Sequence, residues 1–385
     1  MASALQVIQI PTQPDFIDFS NGEPALSLLP VDLMQHAVET TFSDNDPAIL
    51  QYGTEQGNGY FRRALAEFLT KGYRFPVDPA TLFVTNGASM GLHLVCSLFT
   101  RPGDVVFVEE PTYFLAFHIF ADHGLQVISL QTDENGLVIE SLAAMLKSHH
   151  PKFVYVIPTF QNPTGRTLPE ERREKLAALS REHDFLVAAD EVYHFLNYRR
   201  QSPKPLAAYF REGQIISINS FSKILAPGLR LGWIQTDEER IEHFIKYSLL
   251  DSGGGMNPFT SAVVRHVIES GGLAKNIERL KAEYASRVSE MDKDLRQFLP
   301  MAEYVSPLGG YFFWLRLPGV DTLDFLRTSH SFNVSFHTGR RFSGQNGLKE
   351  YIRLSYVNYP VPEIEKGIIR LSQSLAEWNT NHPRH

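Results

Sequence analysis

Cysteine is nearly absent from this chain. It occurs once in 385 residues, at Cys96, so no intrachain disulfide can form. That excludes a disulfide-stapled secreted scaffold and points to a reducing, cytoplasmic compartment. The surroundings of Cys96, GLHLVCSLF, are those of a buried, inert thiol rather than a nucleophile. The N-terminus MASALQVIQIPTQPDF lacks a basic region followed by a long apolar core, so no secretory signal is read. Without secretion the sequon Asn333-Val334-Ser335 carries little meaning. No uninterrupted apolar run is long enough to span a bilayer. Positive charge is in the minority. The chain has 36 Lys and Arg against 43 Asp and Glu, a net −7, with no basic block. Nucleic acid and anionic membrane are therefore poor expectations for partners. The 14 histidines form no HExxH and no Cys/His cluster, and no catalytic metal is expected. GTEQGNGY resembles a nucleotide loop only superficially, because no clear strand precedes it and no complete GxGxxG or Walker motif is present.

What is present is an ordinary globular composition, 43% hydrophobic and 21% charged, in a chain long enough for two domains. Seven strand-like runs recur: TLFVT (81–85), DVVFVE (104–109), QVISL (126–130), FVYVIP (153–158), FLVAAD (185–190), IISINS (215–220) and LGWIQT (231–236). Several are apolar almost throughout, as strands covered on both faces of a parallel sheet must be. Helical patterns lie between some of them, such as PEERREKLAALSREHD with Pro169 near its first turn. Before the first strand, GNGYFRRALAEFLTKGY places Phe61, Leu65, Phe68 and Leu69 on one helical face. The pattern predicts an α/β fold whose large sheet domain covers 46–289. From about 290 a long helix, GGYFFWLRL, YIRLSY and a final helix follow. They predict a smaller α+β domain over 290–385, completed by 16–45, with 1–15 as a loose arm. In the final helix Ile364, Ile368, Leu371 and Leu375 form a core stripe.

Open α/β sheets bind ligands beyond the carboxyl ends of their strands. The residues that follow each run are therefore the candidates. Gly87-Ala88-Ser89 opens a helix after TLFVT and could hold a phosphate on free N–H groups, or be a plain strand–helix turn. In SFSKILAPGLRLGW, Arg230 could fork onto the same phosphate or pair with a carboxylate. Ser220 and Ser222 could donate hydroxyls to that anion or serve the turn. Asp190 ends an apolar strand, where a carboxylate is costly unless a cation such as a protonated ring nitrogen meets it; a turn or cap is the ordinary explanation. Tyr113 offers a face for a ring, or packs in the core. Asn162 and Tyr193 could each donate to a ring oxygen, or make loop and core contacts. Lys223 has an amine able to condense with an aldehyde, helped by a lowered pKa. Phosphate, aromatic ring, ring nitrogen, ring oxygen and aldehyde together describe pyridoxal 5′-phosphate.

Eight blocks then carry a family resemblance: LQYGTEQGNGYFRRALAEFL, VTNGAS, EEPTY, PTFQNPTG, ADEVY, SFSKILAPGLRLGW, PLGGYFFWL and YIRLSY. From about residue 16 to the end, the chain resembles the fold-type I pyridoxal-phosphate enzymes of the class I/II aminotransferases, in the 2-aminoadipate aminotransferase-like group. The resemblance implies a large domain with a seven-stranded, mostly parallel sheet beside a smaller α+β domain. It implies that Lys223 forms the Schiff base with the cofactor, that Asp190 partners the pyridine nitrogen, and that Tyr193 completes the catalytic set. Asn162 and Tyr193 would contact the ring hydroxyl and Tyr113 would stack on the ring. Gly87, Ala88, Ser89, Ser220, Ser222 and Arg230 would surround the phosphate. By the same resemblance Arg353 clamps the substrate α-carboxylate, with Asn162 and Gly22 close by. Its apolar neighbours Tyr351, Ile352 and Leu354 agree, since an unpaired guanidinium there would be expensive. Tyr52 would reach the phosphate site of a partner subunit, implying a homodimer with shared sites. Two stretches depart from the pattern: Met90 stands where relatives often carry a polar residue, and DSGGGMNPFTS (251–261) is glycine-rich where relatives vary.

The expected reaction is transfer of an amino group between an L-amino acid (aromatic, 2-aminoadipate-like or aliphatic) and a 2-oxo acid such as 2-oxoglutarate. The same residues would serve a β-lyase, a decarboxylase or an oxidase, because fold does not fix function. A non-catalytic effector-binding role, as in regulators with an aminotransferase-like domain, is a further alternative. The chain opens on its arm with no winged helix before it, which disfavours that alternative.

Overall fold

A computed structural model describes residues 15–199 and 202–382. All seven expected strands form and share one sheet. They are β1 (Leu82–Thr85), β2 (Val105–Glu110), β3 (Gln126–Asp133), β4 (Phe153–Val156), β5 (Leu186–Asp190), β6 (Ile215–Ser220) and β7 (Gly232–Gln235). Their spatial order is β1-β7-β6-β5-β4-β2-β3, and the two-residue strand Gly136–Leu137 adds an eighth at the β3 edge. Every residue of β1, β4, β6 and β7 is buried, as continuous apolar runs require. Among the seven, β7 alone runs against its neighbours. That reversal matters for the site. Gly232, which opens β7, sits beside Thr85 and Ser220, which close β1 and β6. The chain entering β7, including Arg230, is thereby delivered to the carboxyl end of the sheet. The chain steps outward from β2 to β3 and then back across to β4, so the strand order reverses between β2 and β4. This is where ligands bind in open α/β sheets.

A second, three-stranded antiparallel sheet is built from β8 (Phe312–Arg316), β9 (His337–Thr338) and β10 (Tyr351–Ser355), in the order β8-β10-β9. Arg353 lies on its central strand, opposite Trp314 on one side and His337 on the other. The final helix, Val361–Asn381, buries Ile364, Ile368, Leu371 and Leu375 as its periodicity predicts. Burying each such side chain stabilises the fold by about 1.5–3 kcal/mol.

The helix Gly272–Phe298 is continuous through residues 289 and 290, where the texture of the sequence changes. It touches both sheets' surroundings. Asn276 donates to the carbonyl of Ile224 at 2.9 Å, beside Lys223, and Arg287 donates to the carbonyl of Val357. The stretch 16–45 is likewise shared. Ile17–Asp18 pairs with Val334–Ser335, whereas the helix Val31–Ser43 packs on Pro258–Glu269. Among the described residues, no helix is long and apolar enough to cross a membrane.

Candidate active site

The carboxyl ends of β2, β4, β5 and β6 and one face of the small sheet enclose a cavity of about 520 Å³. Its first wall is an anion cradle. The helix Ala88–Phe99 starts at Gly87 with no side chain capping its first turn, so its leading N–H groups are free to meet an anion. Gly87 has φ 88°, and a Cβ there would stand 2.9 Å from Nη2 of Arg230. Only glycine allows the guanidinium to lie this close. Arg230 donates to the carbonyls of Pro227 at 3.1 Å and Asn86 at 3.3 Å, and meets no carboxylate within 4.0 Å among the described residues. Ser220 Oγ donates to Ser222 Oγ at 2.8 Å, tying the two hydroxyls together next to it.

The middle of the cavity holds the groups suited to a heterocycle. Asp190, at the end of β5, accepts from the Tyr155 hydroxyl at 2.9 Å and from the backbone N–H of Val192 at 3.4 Å. Burial pushes its carboxyl up to about 6, against the lowering effect of the Tyr155 hydrogen bond. No Lys, Arg or His reaches within 4.0 Å of it among the described residues. Burial also pushes the phenol of Tyr113 up to about 12 and that of Tyr193 still higher, so both are neutral donors. Lys223 Nζ donates to the carbonyl of Gly22 at 2.8 Å and stands 5.0 Å above the Tyr311 ring. Burial and the charge of Arg353 lower its amine to about 8, so a reactive neutral fraction exists near neutral pH.

Arg353 forms the third wall. It is 3% exposed, yet no carboxylate lies within 4.0 Å of it among the described residues. Its Nη1 donates to Asn162 Oδ1 at 3.0 Å and its Nη2 to the carbonyl of Ser20 at 2.7 Å, while Nε has no partner. The guanidinium lies 3.9 Å from the centroid of the Phe312 ring. Burial lowers its pKa to about 10, which leaves it charged. A buried, incompletely paired guanidinium is stable only if something anionic completes it. Thus Ala88, Ser89, Tyr113, Asn162, Asp190, Tyr193, Ser220, Ser222, Lys223, Arg230, Arg353 and Gly22 all line one cavity, with Gly87 behind Arg230.

An anion cradle, a carboxylate lacking its cation and an amine of depressed pKa fit pyridoxal 5′-phosphate. The sequence family "Aminotransferase class I and II" matches residues 14–370. The chain belongs to the class I and II aminotransferases. It is 32% identical over 97% of its length to aromatic-amino-acid aminotransferase 1 of Thermococcus litoralis, covering 91% of that protein. Its fold superposes on the multiple substrate aminotransferase of Thermococcus profundus with a TM-score of 0.90 at 29% identity, covering 99% of this chain and 96% of the other. The α-aminoadipate aminotransferase of Thermus thermophilus, solved with N-(5′-phosphopyridoxyl)-L-leucine, gives 0.87 at 27% identity over 96% and 94% of the two chains. The protein is a pyridoxal-phosphate-dependent transaminase of fold type I.

In this aminotransferase Tyr52 stands apart from the cavity and is 80% exposed. The glycine-rich stretch explains how it is held. Gly255 has φ 84°, and a Cβ on it would lie 1.9 Å from the carbonyl oxygen of Thr54. The glycines therefore serve close approach to the segment that carries Tyr52. Met90 sits partly buried in the first turn of the cradle helix. Cys96 is buried, and burial pushes its thiol up to about 12, as suits an inert position. Several residues at the site escaped sequence reasoning. Tyr155 lies inside an apolar strand and looks like core, and Phe312 and His337 reach the cavity only through the pairing of β8, β9 and β10.

Proposed function

We propose that Lys223 is the lysine that holds the cofactor and moves the proton, with Arg353 as the α-carboxylate ligand, in amino transfer from an L-amino acid to a 2-oxo acid. The observation that carries this reading is one cavity containing a lysine of lowered pKa, an unpaired carboxylate and an unpaired buried guanidinium. When bound, the cofactor supplies an electron sink for the bond broken at the substrate Cα. Asp190 would favour a positive charge on the ring nitrogen, which would in turn offset the burial that makes its own ionisation costly. Tyr113 would stack on a bound ring, and Asn162 and Tyr193 would donate to its oxygen. The Ala88–Phe99 helix start, Ser220, Ser222 and Arg230 would hold the phosphate. Arg353 and Asn162, joined at 3.0 Å, orient the amino acid so that its α-proton faces Lys223. Lys223 Nζ would take that proton as general base and, once protonated, would donate it as general acid.

Aromatic, 2-aminoadipate-like and aliphatic donors suit a cavity walled by Phe114, Leu115, Ile119 and Phe312 beside its cations. The test is a single turnover of holoenzyme with an amino acid and no oxo acid. It should yield one equivalent of oxo acid per site and the amino form of the cofactor, without ammonia. Release of ammonia or carbon dioxide as the main product would instead support lyase or decarboxylase chemistry. A homodimer is part of this reading. Leu50, Tyr52 and Tyr60 are 72%, 80% and 65% exposed, large apolar and aromatic side chains of the kind interfaces bury, and Tyr52 would complete the partner's phosphate site. Sedimentation should give a dimer, and Tyr52→Ala should retain cofactor less well. The lone buried cysteine supports a cytoplasmic location.

A further inference from the structure

Glu110 closes β2 and does not line the cavity, yet three donors converge on its carboxylate. Ser343 donates its hydroxyl to one oxygen. The other oxygen accepts from the backbone N–H of Gly344 at 2.9 Å and from the Ser129 hydroxyl at 2.8 Å. No Lys, Arg or His lies within 4.0 Å of it among the described residues. Ser129 belongs to β3 of the large sheet, whereas Ser343 and Gly344 lie in the connection between β9 and β10 of the small one. A second bond runs alongside, from the N–H of Thr112 to the carbonyl of Phe342 at 3.0 Å. A Cβ on Gly344 would stand 2.7 Å from Ser129 Oγ, so the loop is drawn tightly onto β3.

We propose that Glu110 is a positioning residue that fixes Arg353 relative to the walls carrying Tyr113 and Asn162, by fastening the 342–347 loop to the end of β2. The proposal rests on the reading of Arg353 as the α-carboxylate ligand. Three walls of the site meet at this clasp. Tyr113 follows Glu110 in the chain, and Gln161, next to Asn162, donates its Nε2 to the carbonyl of Pro111 at 2.7 Å. Phe342, next to Ser343, meets the Phe114 ring edge-on at 5.3 Å, and the Arg353 guanidinium lies 5.1 Å from the centroid of the Phe342 ring. The loop is closed on itself, because Ser343 Oγ also accepts from the N–H groups of Gln345 at 3.1 Å and Gly347 at 2.9 Å. It therefore transmits a pull at Ser343 as a unit, and it leads into β10, which carries Arg353. Hydrogen bonds to an ionised carboxylate are short and strong, so the clasp resists relative movement of the two sheets.

The experiment is single-turnover kcat/KM of the holoenzyme with L-phenylalanine, L-leucine and L-glutamate, for Glu110→Ala, Arg353→Met and the two combined. Glu110→Ala should lose about tenfold with all three amino acids, mainly through KM, because a misplaced carboxylate ligand weakens binding and orientation together. The cofactor's absorption band should stay in place, since Lys223 is untouched. In the Arg353→Met background Glu110→Ala should cost no more than about a further twofold, because the arginine it positions is already gone. Fully additive losses, an unaltered kcat/KM for Glu110→Ala, or a displaced cofactor band would overturn the assignment. If Glu110→Ala does not fold, Ser343→Ala goes through the same cycle with the same criteria, its expected single loss being about threefold for one donor removed. Arg353→Met alone separates the two readings. If it keeps the unaltered kcat/KM, the role of Arg353 fails; if it loses activity and the losses are additive, only the role of Glu110 fails.

Discussion

Two buried arginines with the same chemistry sit in opposite circumstances. Arg173, on the helix Glu170–Glu182, is fully buried with its hydrogen bonds taken by protein. It donates to the carbonyls of Leu168, Lys204 and Pro158 and to the Thr159 hydroxyl, at 2.6–3.0 Å, and faces Glu191 at 3.7 Å. Glu191 is itself satisfied by Ser217 and by the N–H groups of Leu206 and Ala207. Arg353 is almost as buried, has no carboxylate within 4.0 Å among the described residues, and leaves Nε without a hydrogen-bond partner there. The first arrangement is closed and serves the fold. The second is open and has room for one more anion. Burial by itself does not mark a functional charge; burial combined with an incomplete set of partners does.

The strongest test of the open region is Lys223→Ala. Turnover should fall by at least about 10⁴-fold, because the proposed nucleophile and proton carrier are lost together, and the absorption band of the lysine-bound cofactor should vanish. Thermal unfolding without cofactor should be unchanged or shifted upward, since a buried cation has been removed. Next comes the matched pair of arginines. Arg353→Met should lower kcat/KM by about two orders of magnitude and leave ligand-free stability intact. Arg173→Met should do the reverse. It strands Glu191 in the interior and should cost about 3–5 kcal/mol of stability by denaturant unfolding, with near-normal activity per folded molecule. If both variants lost stability alike, the distinction between the regions would collapse. A smaller effect is expected of Tyr155→Phe, which removes one hydrogen bond to Asp190. Loss of that donor should raise the Asp190 pKa further and lower kcat by about three- to tenfold, without altering KM in proportion.

The smallest effect is one of pH. Lys223 must be neutral to attack an aldehyde, and its amine is lowered to about 8 by burial first and by Arg353 second. Capture of cofactor by ligand-free enzyme should therefore accelerate as pH rises through about 8 and level off above it. Removing the neighbouring cation favours the protonated amine, so Arg353→Met should move that midpoint to higher pH. A shift in the opposite direction would contradict the electrostatic account.

The seven sheet strands were legible because burial on both faces demands continuous apolar runs, and the polar residues ending those runs stood out against them. The meaning of those endings was less legible. Asp190 taken alone reads as a turn or helix cap, until Tyr155 is seen beside it and no cation within 4.0 Å among the described residues. Tyr155 carries no signal of its own, since a tyrosine in FVYV looks like core. The change of texture near 290 marks no break in the chain path, because Gly272–Phe298 is one helix serving both sheets. A run of glycines at 253–255 does not say what it serves, and only the approach of Gly255 to the Thr54 carbonyl shows two backbone segments brought close together.

By itself the sequence determined the α/β class, the strand segments, and a list of polar groups able to hold a phosphorylated aldehyde. Those are local properties, set by periodicity and by which side chains water or protein will accept. Only the tertiary structure decided which charges are complete and which are open. It brought Arg230 to the cradle by running β7 backwards, and it set Arg353 beside Asn162 from 191 residues away. Desolvation and pairing depend on every neighbour in space, and chain order does not supply those neighbours.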